Sequence, residues 1–261
     1  MKTIGPIIGM LHVPALPGSP RNELGFDAIA DFVLRDADAL AAGGVDALML
    51  ENFGDAPFYP HRVPPHTVAF MTAIACEVRL RFDLPLGINV LRNDAESALA
   101  VACAVDAEFI RVNVHTSPRV TDQGLIEGRA HATLRYRRSL GSTVKILADI
   151  DVKHSSPLSA RPLEVEVEEA LARGCADGVI VTGTTTGKQT PLEDLRAAKR
   201  VAGPFPVLAG SGVNVENIRE ILAIADGAIV GTALKRGGVT THPVEPERVE
   251  ALMQIVRNRA P

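Results

Sequence analysis

The sequence predicts an α/β fold, a single (β/α)8 TIM barrel, and three observations carry that prediction. A short apolar run followed by an amphipathic helix recurs eight times along the chain. The chain has 261 residues, near the ~250 common for this barrel. The segments that follow the apolar runs are longer and more polar than those that precede them, as expected when one rim of a barrel carries the chemistry.

The predicted strands are residues 7–10, 47–50, 86–89, 109–113, 145–149, 178–182, 206–209 and 228–231. They are short and mostly apolar, as strands covered on both faces should be. Their alternation with helices implies a parallel sheet, and eight units imply closure. In the first helix Ile29, Phe32, Val33, Ala37 and Leu40 share one side behind Asp27, and Gly43-Gly44 ends it. Pro65, Asn93-Asp94 and Asn214 open later helices, and Thr190-Pro191-Leu192-Glu193 reads as a capping box with Pro at the first helical position. Arg135, Arg137 and Arg138 near a helix end suit the helix dipole and solvent. With no linker, low-complexity run or charge block, residues 1–261 are expected to form one domain.

Composition removes several classes of function. The net charge of −4 gives no electrostatic footprint for nucleic acid, and 4% aromatics without Trp offers few stacking platforms. No apolar stretch is long enough for membrane insertion, and the N-terminus lacks a signal-peptide core. Cys76, Cys103 and Cys175 form no disulfide framework; they read as small buried hydrophobes in a reducing, cytoplasmic compartment. A homo-oligomer is compatible with all of this.

Two glycine segments stand where a barrel binds anions. Gly210-Ser211-Gly212-Val213-Asn214 follows the seventh strand and precedes a helix; Gly231-Thr232-Ala233-Leu234-Lys235 follows the eighth. Glycine allows close approach of an anion to backbone N–H groups, and the loops after strands seven and eight often bind phosphate together. Ser211, Gly212, Gly231 and Thr232 are therefore the candidate phosphate ligands. Gly183 to Thr190 imitates a nucleotide-binding loop but has three residues between its glycines, and Gln follows the Lys. It reads as a rim loop whose threonines and Lys188 are placed to touch a ligand.

Alternation along a strand decides which side chains enter the barrel mouth. Asp149, Asp151 and Lys153 share one parity at the end of the fifth strand, a pattern that suits acid/base chemistry better than a structural core. Arg111, Asn113 and His115 share another, with Asp149 the natural partner for a buried Arg111. His12 follows the first strand, Glu51-Asn52 follow the second, and Asn89 ends the third. The expected catalytic group is thus Asp149, Asp151, Lys153, His12, His115, Arg111 and Glu51. Asp149 or Asp151 would act as base and His12 or His115 as proton shuttle. Charge pairing is expected to hold Lys153 as an ammonium that stabilises negative charge electrostatically and forms no covalent adduct. His12, Glu51, His115, Asp149 and His154 are all legal metal ligands, but none has diagnostic spacing, so no metal or other cofactor is assigned.

The last third of the chain resembles, at motif level, the ribulose-phosphate-binding barrels, including thiamine-phosphate synthase and phosphoribosylanthranilate isomerase. Six segments resemble the BtpA/SgcQ family: GMLHVPALPGSP (9–20), ENFGDAPF (51–58), ADIDVKHSSPL (148–158), DGVIVTG (177–183), GSGVNVENI (210–218) and DGAIVGTALKRGG (226–238). These resemblances imply a TIM barrel with a phosphate on the backbone N–H groups of Gly212 and Thr232, assisted by Ser211. They imply no settled reaction: one family member is associated with photosystem I biogenesis and another sits among sugar-metabolism proteins. The leading expectation is an isomerase or lyase/aldolase acting on a small phosphorylated metabolite. The alternatives are a non-catalytic assembly factor, which would need an exposed apolar patch, and a metal-assisted hydrolase, which elemental analysis would reveal.

Overall fold

A computed structural model describes residues 5–183 and 189–258. In chain order its strands are β1 (Ile7–His12), β2 (Ala47–Glu51), β3 (Leu86–Asn89), β4 (Phe109–Val112), β5 (Arg119–Thr121), β6 (Gly124–Ile126), β7 (Lys145–Ile150), β8 (Ser155–Pro157), β9 (Gly178–Val181), β10 (Val207–Ala209) and β11 (Gly227–Val230). Eight of them close a parallel barrel in the order β1-β2-β3-β4-β7-β9-β10-β11, and β11 pairs back onto β1. The TIM barrel read from the apolar runs is present, with strand ends within two residues of those expected.

Helices α1 (Phe26–Gly43), α2 (Pro65–Arg81), α3 (Ala95–Ala104), α4 (Ala130–Ser139), α5 (Leu163–Glu168), α6 (Leu192–Ala202), α7 (Ile218–Leu222) and α8 (Pro246–Arg257) follow the barrel strands in turn. Gly44 ends α1 in the left-handed region at φ 85°. The Asp94 side chain caps α3 by accepting from Ser97 N at 3.0 Å. Thr190 does not cap α6. It is buried and its hydroxyl donates to the carbonyls of Val181 (3.3 Å) and Ser211 (3.1 Å), tying the ends of β9 and β10 together. Cys76 and Cys103 are half-buried, whereas Cys175 is exposed on a turn at φ 51°, contrary to the expectation that it is buried.

Strand alternation divides the core in two. Ile8, Met10, Ala47, Met49, Phe109, Leu147, Ile180, Leu208 and Ile229 fill the barrel interior. Their neighbours of opposite parity, such as Leu48, Leu50, Ile88, Ile110 and Ile146, pack outward against the helices. Phe109 plugs the interior because Gly87 opposite has no side chain; a Cβ there would lie 2.1 Å from the Phe109 ring. This apolar floor forces ligands toward the carboxyl ends of the strands. β5, β6 and β8 lie outside the barrel as an antiparallel sheet, order β6-β5-β8, built from the segments after β4 and β7. Among the described residues no helix is long and apolar enough to cross a membrane.

Candidate active site

Following the interior parity one step beyond the apolar floor gives two kinds of residue. β1 to β4 and β7 bring His12, Glu51, Asn89, Arg111 and Asp149. The ends of β9 to β11 bring Thr182, Gly210 and Gly231. Polar bulk on one side and missing side chains on the other leave a cavity of about 780 Å³ at the mouth. It is bordered by His12, Glu51, Arg111 and Lys153 on the polar side and by the 210–216 and 231–234 segments on the other. The candidate phosphate residues and part of the charged ring thus share one space.

On the glycine side, Ser211 is buried and its hydroxyl has no partner among the described residues. Gly212 follows at φ 65°, a left-handed conformation that glycine adopts without strain. The N–H groups of Gly212 and Thr232 have no backbone acceptor among the described residues. The Asn217 amide donates to Gly212 O at 2.8 Å, and Asn214 accepts from the N–H groups of Glu216 (2.8 Å) and Asn217 (3.2 Å), so the loop is braced from its far side. Gly231 leaves room for the His12 ring, which a Cβ would approach to 2.7 Å. Lys235 turns away from the cavity and is buried on Asp36 of α1.

On the charged side, Arg111 donates from Nε and Nη2 to the two oxygens of Asp149, both at 3.0 Å, and Asn113 donates to Asp149 at 2.7 Å. Burial opposes the Arg111 charge, but Asp149 and Glu51 outweigh it and raise its pKa. Asp149 is thereby fully engaged and does not border the cavity. Glu51 does border it. Burial pushes the Glu51 carboxyl above its ordinary value, with Arg111 and Lys153 pulling the other way. His12 Nε2 stands 3.9 Å from Glu51, and the Phe53 ring packs 4.9 Å from the imidazole. Burial, reinforced by Lys235 and Lys153, drives His12 well below its ordinary value, so it is neutral near pH 7.

Two expectations based on parity fail for one reason: alternation stops where the strand stops. β7 ends at Ile150, and Asp151 adopts φ 52°. Its side chain is 57% exposed, against 0% for Asp149, and pairs with Arg119 at 2.7 Å, outside the mouth. β4 ends at Val112, and the buried His115 then points outward, donating from Nε2 to Gly174 O at 2.8 Å. Lys153 does return to the cavity, with its carbonyl held by Arg92 Nη2 at 2.6 Å. No carboxylate among the described residues lies within ion-pairing distance of its amine, so the expected pairing is absent. Burial lowers the Lys153 pKa and Arg111 adds to this; Glu51 and Asp149 offset part of it.

Sequence reasoning missed Phe53, Arg119 and Thr190. Phe53 had a visible signal in its place two residues past Glu51; Thr190 was masked by its resemblance to a helix cap. The part of the rim loop at 184–188, with Lys188, lies outside the described residues. Among the described residues no group of three or more His, Cys, Asp or Glu side chains is arranged to hold a metal ion.

A closed parallel barrel with flanking helices and a polar cavity over the carboxyl ends of its strands defines a TIM-barrel protein. A model of the BtpA family matches residues 3–258, and the chain belongs to that family. It is 47% identical over 253 residues to the photosystem I biogenesis protein BtpA of Synechocystis, covering 97% of this chain and 88% of that protein. It is 44% identical over 253 residues to an uncharacterised protein of Pyrococcus horikoshii, covering 97% and 96%. Among solved structures, N-(5'-phosphoribosyl)anthranilate isomerase from Pyrococcus furiosus aligns with a TM-score of 0.59 at 14% identity, covering 98% and 100%, a likeness of fold.

Proposed function

We propose that residues 1–261 form one cytoplasmic domain whose barrel mouth binds a small phosphorylated metabolite and rearranges it by proton transfer, as an isomerase or lyase. One observation carries this reading: the buried, unpartnered Ser211 hydroxyl and the Gly212 loop border the same cavity as Glu51 and His12. Ser211 and the N–H groups of Gly212 and Thr232 hold the phosphate. Glu51, bordering the reacting end, exchanges a proton with the ligand. Neutral His12 relays protons beside it, and Arg111 with Asp149 fixes the charge around them. The fold of the structural neighbour supports such a ligand only as analogy.

The test is thermal unfolding with and without inorganic phosphate. A ligand that binds only the folded state raises the melting temperature as its concentration exceeds Kd. Wild type should show a rise that grows with phosphate concentration, and Gly212→Leu, which blocks approach to the loop, should lose it. An equal rise in both proteins would remove phosphate from this loop.

A non-catalytic assembly or stability factor is the second reading; the Synechocystis relative is named as a photosystem I biogenesis protein. This reading is favoured by Val120 and Leu125, which are exposed and directly opposed across β5 and β6. A wild-type protein indifferent to phosphate would shift the balance to it.

A further inference from the structure

Lys145, Lys199 and Lys235 are each held by a carboxylate: Asp177 at 2.9 Å, Asp226 at 2.9 Å, and Asp36. Lys153 is the exception among the described lysines, and it is the one that borders the mouth cavity. The carboxylates nearest to it in sequence are committed elsewhere, Asp149 to Arg111 and Asn113, Asp151 to Arg119. The amine thus has no carboxylate at ion-pairing distance among the described residues; Glu51 and Asp149 favour its charge from further off, while burial, Arg111 and Arg92 oppose it. Arg111 stands on the same cavity wall, and the apolar interior closes it from below. The Lys153 backbone is fixed by Arg92, so the side chain projects from a held point.

We propose that Lys153 forms a covalent imine with the carbonyl group of a phosphorylated aldehyde or ketone, which makes the mouth a Schiff-base site. The inference rests on the phosphate reading of the same cavity and names the substrate class and the bond that forms. Burial, with Arg111, favours the neutral amine, the nucleophilic form. Its lone pair forms the C–N bond while the carbonyl π pair moves to oxygen. The proton lost by nitrogen is returned to that oxygen, giving a carbinolamine. Glu51, whose burial favours its protonated form, then protonates the hydroxyl. Water leaves, and an iminium faces the new Glu51 carboxylate. The iminium is an electron sink. Glu51 takes a proton from the adjacent carbon in an isomerisation, or from a hydroxyl one carbon further in a carbon–carbon cleavage; in both the released electron pair forms a C=C bond to the imine carbon while the C=N π pair moves to nitrogen, giving a neutral enamine.

The experiment is borohydride trapping with glyceraldehyde 3-phosphate, dihydroxyacetone phosphate and ribose 5-phosphate, read by peptide mass spectrometry. The expected product is one adduct at Lys153, heavier by the mass of the probe less one oxygen atom. Its formation should be half-maximal below the ordinary lysine pKa of about 10.4, and inorganic phosphate should suppress it. Lys153→Met should give no adduct while keeping its phosphate-dependent melting shift, which shows that the variant is folded. Absence of a Lys153 adduct with all three probes, or labelling spread over other lysines without preference for Lys153, would overturn the imine; a wild-type phosphate shift would then leave the phosphate reading standing. A Lys153 adduct that phosphate does not suppress, in a protein without a phosphate shift, would keep the nucleophilic lysine and sink the phosphate site.

Discussion

Glu51 is a buried carboxylate without an arginine of its own, because Arg111 gives two nitrogens to Asp149. The two carboxylates therefore respond differently to substitution. Arg111→Met strands the Asp149 charge with Asn113 alone, and removing one partner of a buried pair costs about 3–5 kcal/mol. Arg111→Met/Asp149→Leu should recover much of that loss in urea unfolding; a double variant as unstable as the sum of the singles would show that the pair is not a unit. Glu51 binds its proton more tightly when folded, because burial raises its pKa. The stability it contributes is complete below the ordinary carboxylate range and falls as pH rises through the raised folded value. Glu51→Gln carries no such proton. Its unfolding free energy relative to wild type should therefore increase from pH 4 toward neutrality and then level. A difference that shrinks with pH would mean that the folded carboxyl is held ionised.

Elements, rather than residues, decide what the phosphate loop can do. Thr190 joins the ends of β9 and β10 through two carbonyls, one of them that of Ser211. As a helix cap it would accept Asn at no cost, since Asn caps at least as well as Thr. As a buried clamp it would not. Thr190→Asn should cost more than about 1 kcal/mol, through a larger side chain in a filled site, and should weaken the phosphate-dependent melting shift; a neutral outcome in both would restore the cap. The same elements mark the limits of sequence reading. The barrel strands were legible because covered strands are apolar on both faces, so even four residues stand out. β5, β6 and β8 have three residues each and are partly exposed, which leaves no periodicity to see; the sole cue was Gly124 after Asp122-Gln123, where the hairpin turns at φ 97°. At the site, parity placed Arg111 and Asp149 because both lie within strands, and position just after an apolar run singled out His12 and Glu51, which are the last residues of β1 and β2. It misplaced Asp151 and His115 because the backbone beyond a strand end obeys its own turns.

At the scale of the whole barrel, the chain must fasten its last unit to its first, and the β1–β11 seam supplies only three register pairs. A second fastening lies outside the sheet. Lys235, three residues past Thr232, is fully buried against Asp36 of α1, with its ammonium 5.8 Å from the centre of the Phe32 ring. Asp36 also accepts from Val244 N at 2.7 Å, so one carboxylate holds both ends of the segment that runs from the phosphate loop to α8. Burial lowers the Lys235 pKa and Asp36 offsets it; the pair is therefore worth most as a pair. Asp36→Leu or Lys235→Met alone should cost about 3–5 kcal/mol, because each leaves a buried group uncompensated. At about 2–4 °C per kcal/mol for a chain of this size, that is a fall of roughly 6 °C or more in melting temperature. The double variant should recover part of the loss but stay below wild type, since Val244 N then has no acceptor, a deficit of about 1–3 kcal/mol. Because Thr232 sits on the same short segment, each single variant should also weaken the phosphate-dependent melting shift. Calorimetry of the four proteins, with and without phosphate, reads both effects. Strict additivity of the two substitutions, together with an intact phosphate shift in each, would show that Lys235 and Asp36 neither act as a pair nor position the loop.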